Sequence, residues 1–470
     1  MKKLLPLILF LLSISPLLIS DKLLLLKNPP IWPDEAIFFD TSKNLAETGN
    51  LSSNIFGGII PGLEQHSAWY PPLFFYLEAF WISHVGSTIE SIRLISVIFS
   101  IFALGFFFLI LKKTSNFYLA TLGTFLLSID RTFQDASRIS RMDMMSFFLI
   151  TLTIYLFIKA LDTKKPRGFL WPGVTSALCL VTHPLGAIAP VTSIIFLFFN
   201  KEAFNGKVKK ISFIVIPSII AIALWLFSMK DWLSLFINQY SLQFARKAQM
   251  TPGIWGDFIS DRYFFSLYSV FLLIFLIFAY QNFRNKILLN RLFILGFLVS
   301  LIIIVWGKEG WYELYLQPFV FLITVTNLRQ SVGRKIIFYP SLALTLTVII
   351  INLLVLQGSV KTLTKSDYYA FGDELLKNIP QNSIISESLI PDAYFALKNK
   401  KITLYEFPTV PVDPKKYKEV LDISNYLLIN ISTNSYMQDY VQRNTLRAYQ
   451  ITKGGYSALL IELVPKYRRI

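Results

Sequence analysis

An aspartate and a glutamate stand side by side at Asp34 and Glu35, directly after Pro33. A carboxylate held at a membrane surface can take the proton from an attacking hydroxyl. Acids in the first turn of a helix also complement its dipole, worth about 0.3–1 kcal/mol. These two residues alone leave both accounts standing. A second charged set is Asp130, Arg131, Asp135, Arg138, Arg141 and Asp143, packed into one short stretch. Guanidinium groups match phosphate oxygens through planar paired donors. The same arginines can pair with the aspartates instead, and Ser140 with Asp143 reads as a capping pattern for the next helix. A third set places Lys308 and Glu309 beside Trp311 and Tyr312, with Tyr315 and Pro318 following. Tryptophan and tyrosine are ordinary interfacial residues. The lysine is either a snorkelling charge or a further phosphate contact.

These groups are spaced by long apolar runs. Of the 470 residues, 54% are apolar and only 16% charged, against about 25% charge in a soluble globule. Runs such as 92–111, 264–280 and 336–356 approach the roughly 20 residues that a helix needs to cross hydrocarbon. The fold class expected is therefore a polytopic α-helical membrane protein of about eleven transmembrane helices. The net charge of +16 would suggest nucleic acid in a soluble chain. Here the basic residues sit in short clusters between apolar runs, which is a topology signal. One cysteine, Cys179, and three histidines, His66, His84 and His183, leave no disulfide framework and no all-protein histidine metal cage.

The first twenty residues read as a retained anchor: cleavage after Ser20 would want a small residue where Leu18 stands, and Leu23 to Leu26 prolongs the apolar run. With Lys2 and Lys3 taken as cytoplasmic and sides alternating, the segments 112–116, 159–167, 200–210, 282–291 and 328–335 also fall inside. Together they hold eighteen Lys and Arg against two acids. The opposite segments 21–91, 130–143, 229–263 and 307–313 hold eleven basic residues against sixteen acids, so the N-terminus is expected to be cytoplasmic in the plasma membrane. This closure requires 71–85 to be a juxtamembrane helix that does not cross. The weakest spans are 117–129 and 169–181, the second interrupted by Pro172.

Residues 1–356 are expected to form the membrane module, with the acidic external loop 21–91. In that loop Pro33 to Gly49 reads as a helix, with proline and acids at its start and glycine at its end. Its face is Ile37, Phe38, Thr41 and Leu45, headed by Asp34. Residues 357–470 are expected to form a small extracytoplasmic α/β domain. Its strands are read at 383–386, 401–405, 426–431 and 456–464, with helices near Asp367, Asp392, Pro414 and Tyr436. Asn50 and Asn430 open glycosylation-type triplets that chance explains equally well.

Pro33-Asp34-Glu35, the helix ending at Gly49, Tyr70-Pro71-Pro72-Leu73 and Arg93-Leu94 resemble the amino-terminal signature of the GT-C membrane glycosyltransferases. The look-alikes are the dolichyl-phosphate-mannose protein mannosyltransferases and the lipid A aminoarabinose transferases. Arg141-Met142-Asp143-Met144 is similar to their second acidic site, and the stretch from Trp311 to Pro318 resembles their late aromatic segment. The resemblance implies an inverting transfer of a sugar from a polyprenyl-phosphate donor to a lipid, glycan or protein acceptor on the external face. It implies Asp34 as base, Glu35 and Asp143 as orienting carboxylates, and Arg138, Arg141 and Lys308 as donor-phosphate contacts. Tyr312 and Tyr315 would touch donor or acceptor. Tyr70 stands where the aminoarabinose transferases carry a lysine, and His66 would supply a donor in its place. No cofactor is required, and a divalent metal ion among Asp34, Glu35 and Asp143 is compatible, the related families differing on metal use. The rival from another class is a transporter or lipid flippase, which would place ionisable groups near the bilayer midplane. A surface assembly protein, the third option, would give Asp34 no special setting.

Overall fold

The computed structural model describes residues 5–464 except 164, 201–202, 250–261, 286–287, 364, 398–400, 409–411 and 431–434. Lys2 and Lys3, the middle of the 229–263 loop and the last two positions of the Asn430 triplet therefore lie outside the described residues.

Apolar sequence becomes helix because a chain in lipid must satisfy its backbone internally. The helices in order are α1 (Leu5–Leu24), α2 (Pro33–Thr48), α3 (Leu73–His84), α4 (Ile89–Thr114), α5 (Phe117–Ile129), α6 (Arg131–Ser137), α7 (Met142–Thr163) and α8 (Leu170–Leu180). Then come α9 (Ile188–Phe199), α10 (Phe204–Ser228), α11 (Leu233–Gln249), α12 (Arg262–Asn285), α13 (Leu288–Gly307), α14 (Gln317–Ser331) and α15 (Lys335–Leu363). Among the described residues, six helices are long and apolar enough to cross a membrane: α1, α4, α7, α10, α13 and α15. The protein is a multi-pass membrane protein. Helix α10 shows why: Ile216, Ile219, Ile220, Leu224 and Phe227 all face outward from the bundle, a surface suited to lipid rather than water.

Shorter helices fill the interior. Helix α14 is buried along nearly its whole length, and α13 approaches it closely at Gly296, where an added Cβ would sit 2.0 Å from the Phe319 ring. Pro172 lies in the first turn of α8, where a missing N–H costs nothing, so it starts the helix instead of interrupting it. Helix α3 has 12 residues, about 18 Å at 1.5 Å per residue, well short of the hydrocarbon thickness. The last long helix, α15, runs on to Leu363, past the boundary expected at 356.

The residues after 364 form a small α/β domain. Its elements are α16 (Tyr368–Asn378), β1 (Ile384–Ser388), α17 (Tyr394–Leu397), β2 (Thr403–Glu406), α18 (Pro414–Ile423), β3 (Tyr426–Ile429), α19 (Ser435–Asn444), β4 (Thr445–Lys453) and β5 (Tyr456–Leu463). The sheet order is β2-β1-β3-β5-β4. The first three strands run parallel, and β5 is antiparallel to both β3 and β4. Strand β4 was not expected. It is exposed at all but one position, so it carries no alternating apolar pattern. It pairs with β5 through a turn at Gly454 and Gly455, whose positive φ values of 55° and 76° suit a tight hairpin.

This domain is seated on the 21–91 segment. The Asp392 N–H donates to the Ile31 carbonyl at 2.9 Å, and the Glu406 N–H to the Ile55 carbonyl at 3.0 Å. Phe39 packs against Tyr394 and Phe395 at ring separations of 5.8 and 5.0 Å. The Tyr394 hydroxyl donates to Asp40 Oδ1 at 3.0 Å. Helix α2 is thus covered on two sides: Phe38 and Thr41 face the bundle core, while Ala36, Phe39 and Asp40 face the tail domain.

Candidate active site

Helix α2 starts as its sequence dictates. Trp32 is extended, Pro33 takes the first helical position, and the Glu35 carboxylate reaches back to accept from the Trp32 N–H at 3.0 Å. Gly49 closes the far end in the left-handed conformation, with φ 77°. Asp34 is thereby presented in the first turn while its neighbour is pulled inward.

Glu35 and Arg93 are both fully buried, and Arg93 Nε and Nη2 donate to the two Glu35 oxygens at 2.8 and 2.6 Å. The other Arg93 donors go to the carbonyls of Leu25, Pro29 and Pro30, so all five are engaged. Glu35 also accepts from the Ser140 N–H at 2.8 Å. One carboxylate therefore joins the α1–α2 connection, α4 and the entry to α7. The Ser140 hydroxyl donates to Glu78 at 2.8 Å, so the capping pattern expected between Ser140 and Asp143 is not formed.

Asp34 and Asp143 come together through Arg141. Arg141 Nη1 lies 2.6 Å from Asp34 Oδ2, and its Nε donates to Asp143 Oδ2 at 2.9 Å. The guanidinium is held over the Phe38 and Trp311 rings, at 5.8 and 5.1 Å from their centroids. Cation–π contact of this kind favours a desolvated arginine. The Tyr315 hydroxyl donates to Asp143 Oδ1 at 3.1 Å. Asp34 is the more open carboxylate, with 27% of its side chain exposed against 9% for Asp143. Since Arg141 stands between them, Asp34 and Asp143 offer no shared ligand position, and Glu35 is fully bonded elsewhere. These three acids therefore do not fit a metal ion.

His183, which the sequence left unassigned, faces the same cluster. Its Nδ1 accepts from the Leu185 N–H at 3.0 Å, which leaves the proton on Nε2. That Nε2 lies 3.9 Å from Asp143 Oδ1 and is buried without a hydrogen-bond partner among the described residues. Burial presses the imidazole down to about 4, so it is neutral at pH 7. Its ring stacks on Tyr315 and meets Tyr312 edge-on.

Two cavities flank the cluster. The larger, of 470 Å³, lies between α6, the start of α7 and the 310–314 turn, and Trp32, Arg131, Arg141, Asp143 and Trp311 border it. The smaller, of 90 Å³, is bordered by Tyr70, His183, Lys247 and Tyr312. Tyr70, Tyr312 and Tyr315 are thus at the site. His66 is not: its ring stacks on Trp232 at 4.7 Å. Arg138 is almost completely buried and spends its donors on the Asn28 carbonyl, Ser20, Asp21 and Asp135, which is a clamp between α1 and α6. Among the described residues the Lys308 side chain has no hydrogen-bond or ion-pair partner. The cations beside Glu309 are Arg246 and Lys247 of α11, at 2.6 and 3.4 Å, which sequence reasoning left as plain loop charges.

The whole architecture aligns with ArnT from Cupriavidus metallidurans bound to undecaprenyl phosphate, with a TM-score of 0.61 over 97% of this chain and 96% of that one at 10% identity. The chain has the GT-C glycosyltransferase fold. The GT-C match extends to the Archaeoglobus fulgidus oligosaccharyltransferase tethered with an acceptor peptide, with a TM-score of 0.55 over 96% of this chain and 74% of that one at 11% identity. The same archaeal enzyme in complex with Zn and sulfate aligns at 0.54 over 88% and 67%, with 12% identity. Residues 70–230 match the family model of dolichyl-phosphate-mannose-protein mannosyltransferase. An uncharacterized protein of Aquifex aeolicus is 24% identical over 189 residues, which are 40% of this chain and 37% of that one. The GT-C alignments reach into the tail domain, beyond the stretch that the family model covers.

Proposed function

We propose that this chain is a plasma-membrane glycosyltransferase that moves a sugar from a polyprenyl-phosphate donor to a hydroxyl acceptor on the external face. The observation that carries this reading is the Asp34–Arg141–Asp143 chain, whose Arg141 and Asp143 line a 470 Å³ cavity together with Arg131, and whose Asp34 is tied to them through Arg141. The charge count supports a topology with this end of the bundle and the tail domain outside and the N-terminus inside. A lipid tail in the bilayer and a phosphate at the cavity mouth suit that placement, and ArnT was solved with undecaprenyl phosphate bound.

In the proposed step the acceptor oxygen bonds to the anomeric carbon as the bond from that carbon to the phosphate oxygen breaks. The electron pair leaves on the lipid phosphate, and Asp34 takes the acceptor proton. The partly open Asp34 suits a base. Its Oδ2 is held by Arg141, and its other oxygen has no hydrogen-bond partner among the described residues. Arg141 and Arg131 would stabilise charge on the leaving phosphate from fixed positions. Asp143 and Tyr315 position Arg141. Glu35 acts through the backbone, by holding α2 in place. Lys247 and Tyr70, at the smaller cavity, are placed to meet the acceptor.

Ionisable groups in this chain gather at the loop-bearing end, around Glu35, Arg93, Arg138, Arg141 and Asp143. A transporter would hold them nearer the midplane. The test is transfer by the purified protein from a panel of labelled undecaprenyl-phosphate sugars into membrane extracts, with lipid phosphate released in equal amount. Arg131→Ala is expected to raise the donor KM about tenfold or more, from the loss of a charged hydrogen bond worth about 1.5–3 kcal/mol. Unchanged donor KM would take the phosphate away from this cavity. Transport of intact donor without release of lipid phosphate would favour the flippase.

A further inference from the structure

The tail domain contains a second acidic cluster, separate from Asp34 and Asp143. Glu387 on β1 and Glu406 at the end of β2 are register partners on adjacent parallel strands. Asp392 stands in the turn after β1 and completes the group. One carboxylate oxygen from each lies within 4.8 Å of the other two. The residues are only 1%, 4% and 1% exposed for Glu387, Glu406 and Asp392.

Acids are often close together without a ligand, so the hydrogen-bond accounting decides. Glu387 Oε2 accepts from the Ala393 N–H, and Asp392 Oδ1 from the Tyr394 N–H. Glu387 Oε1, Asp392 Oδ2 and Glu406 Oε1 are buried with no partner among the described residues. Each of the three carboxyl groups therefore contributes an unanswered oxygen to the same small space. Buried polar atoms are almost always satisfied, and leaving a charged one bare costs more than leaving a neutral one. Three such oxygens from three side chains can form the protein part of the six- to eight-oxygen shell of a hard cation, with water filling the rest. Burial pushes all three carboxyls above their usual range, and repulsion from its neighbours adds to this at Glu387 and Glu406.

We propose that Glu387, Asp392 and Glu406 bind a divalent cation, Ca²⁺ by preference. The donor set is oxygen only, which disfavours zinc and copper. Carboxylate oxygens that converge within 4.8 Å of one another suit a hard cation such as Ca²⁺, which water and carbonyl oxygens complete. The site also bears on the loop below. The backbone N–H groups of Asp392 and Glu406 are the two that hold Ile31 and Ile55, on either side of α2. An ion here would fix the seam between the tail domain and the segment that presents Asp34. The inference stands on the tail domain alone and does not depend on the catalytic proposal.

The test uses the full-length protein in detergent, stripped with a chelator and returned to chelator-free buffer. Calorimetric titration with Ca²⁺ is expected to give one site per chain, and Ca²⁺ to raise the melting temperature. Tb³⁺ should show tyrosine-sensitised emission, given Tyr368 and Tyr394 beside the cluster, and Ca²⁺ should quench it. Glu387→Gln and Glu406→Gln should each weaken Ca²⁺ binding at least tenfold, whereas Glu419→Gln on the exposed face of α18 leaves it unchanged. No Ca²⁺ uptake by the wild-type chain overturns the proposal without any variant. So does equal affinity in the Gln variants, or a Ca²⁺-free protein that melts higher on Glu→Gln exchange while the wild type ignores Ca²⁺. That last result would mean the cluster is held by protons.

Discussion

Asp34→Asn is expected to lower glycosyl transfer by about 10²- to 10⁴-fold, the range for removing a positioned general base, while expression, membrane insertion and melting temperature stay at wild-type values. The two halves of this expectation have separate grounds. Asparagine keeps the shape of aspartate and an oxygen for Arg141 but cannot take a proton at the needed rate. The Asp34 side chain is 27% exposed, so the asparagine amide reaches water while its oxygen keeps a hydrogen bond to Arg141. Arg141 also retains Asp143 at 2.9 Å. The measurement is initial rate against donor concentration, with melting followed in parallel. Turnover within a few-fold of wild type would take Asp34 out of the chemistry. A loss of activity that tracks a loss of folded protein would make it structural.

The adjacent residue should behave in the opposite way. Glu35→Ala is expected to destabilise the protein by about 3–5 kcal/mol, the cost of leaving a fully buried partner charge unpaired. Arg93 would keep its three carbonyl contacts but lose both carboxylate oxygens, and the Ser140 N–H would lose its acceptor. Since a membrane protein often unfolds irreversibly, the sensible readout is the folded fraction that survives a heating series. Activity per folded molecule should fall much less than the folded fraction. Glu35→Ala with Arg93→Leu should recover part of the loss, because removing both charges is less harmful than stranding one. A Glu35→Ala protein that melts with the wild type and yet is inactive would return Glu35 to the catalytic group.

Asp34 and Glu35 were indistinguishable as sequence, and the contrast shows where sequence reasoning stops. The boundaries of α2 could be read because proline, acids and glycine at its ends act locally. The long spans could be read because lipid imposes one pattern along the whole segment. Arg138 and Arg141 differ only in what lies opposite them. Arg138 meets Ser20, Asp21 and Asn28 of a distant helix end, and no local pattern announces that. His183 was a lone polar residue in an apolar stretch, more often a core residue than a site member. The pairing of Arg246 and Lys247 with Glu309 spans more than sixty positions. Strand β4 escaped because both its faces are wet. Glu387, Asp392 and Glu406 form no motif along the chain, and it is the parallel pairing of β1 and β2 that sets two of them side by side.

The hydrogen bond between Tyr394 and Asp40 joins residues 354 positions apart. At ribosomal rates of 5–20 residues per second, roughly 20–70 seconds separate the synthesis of the two. During that interval helix α2 has left the ribosome without its partner: Asp40 Oδ2 can be held by Ser53 and Asn54, but its Oδ1 and the Phe39 ring must wait for the tail domain. Maturation of this protein is therefore a late event set by the end of translation, and nascent chains stalled before residue 394 should be inserted yet sensitive to protease in the first loop.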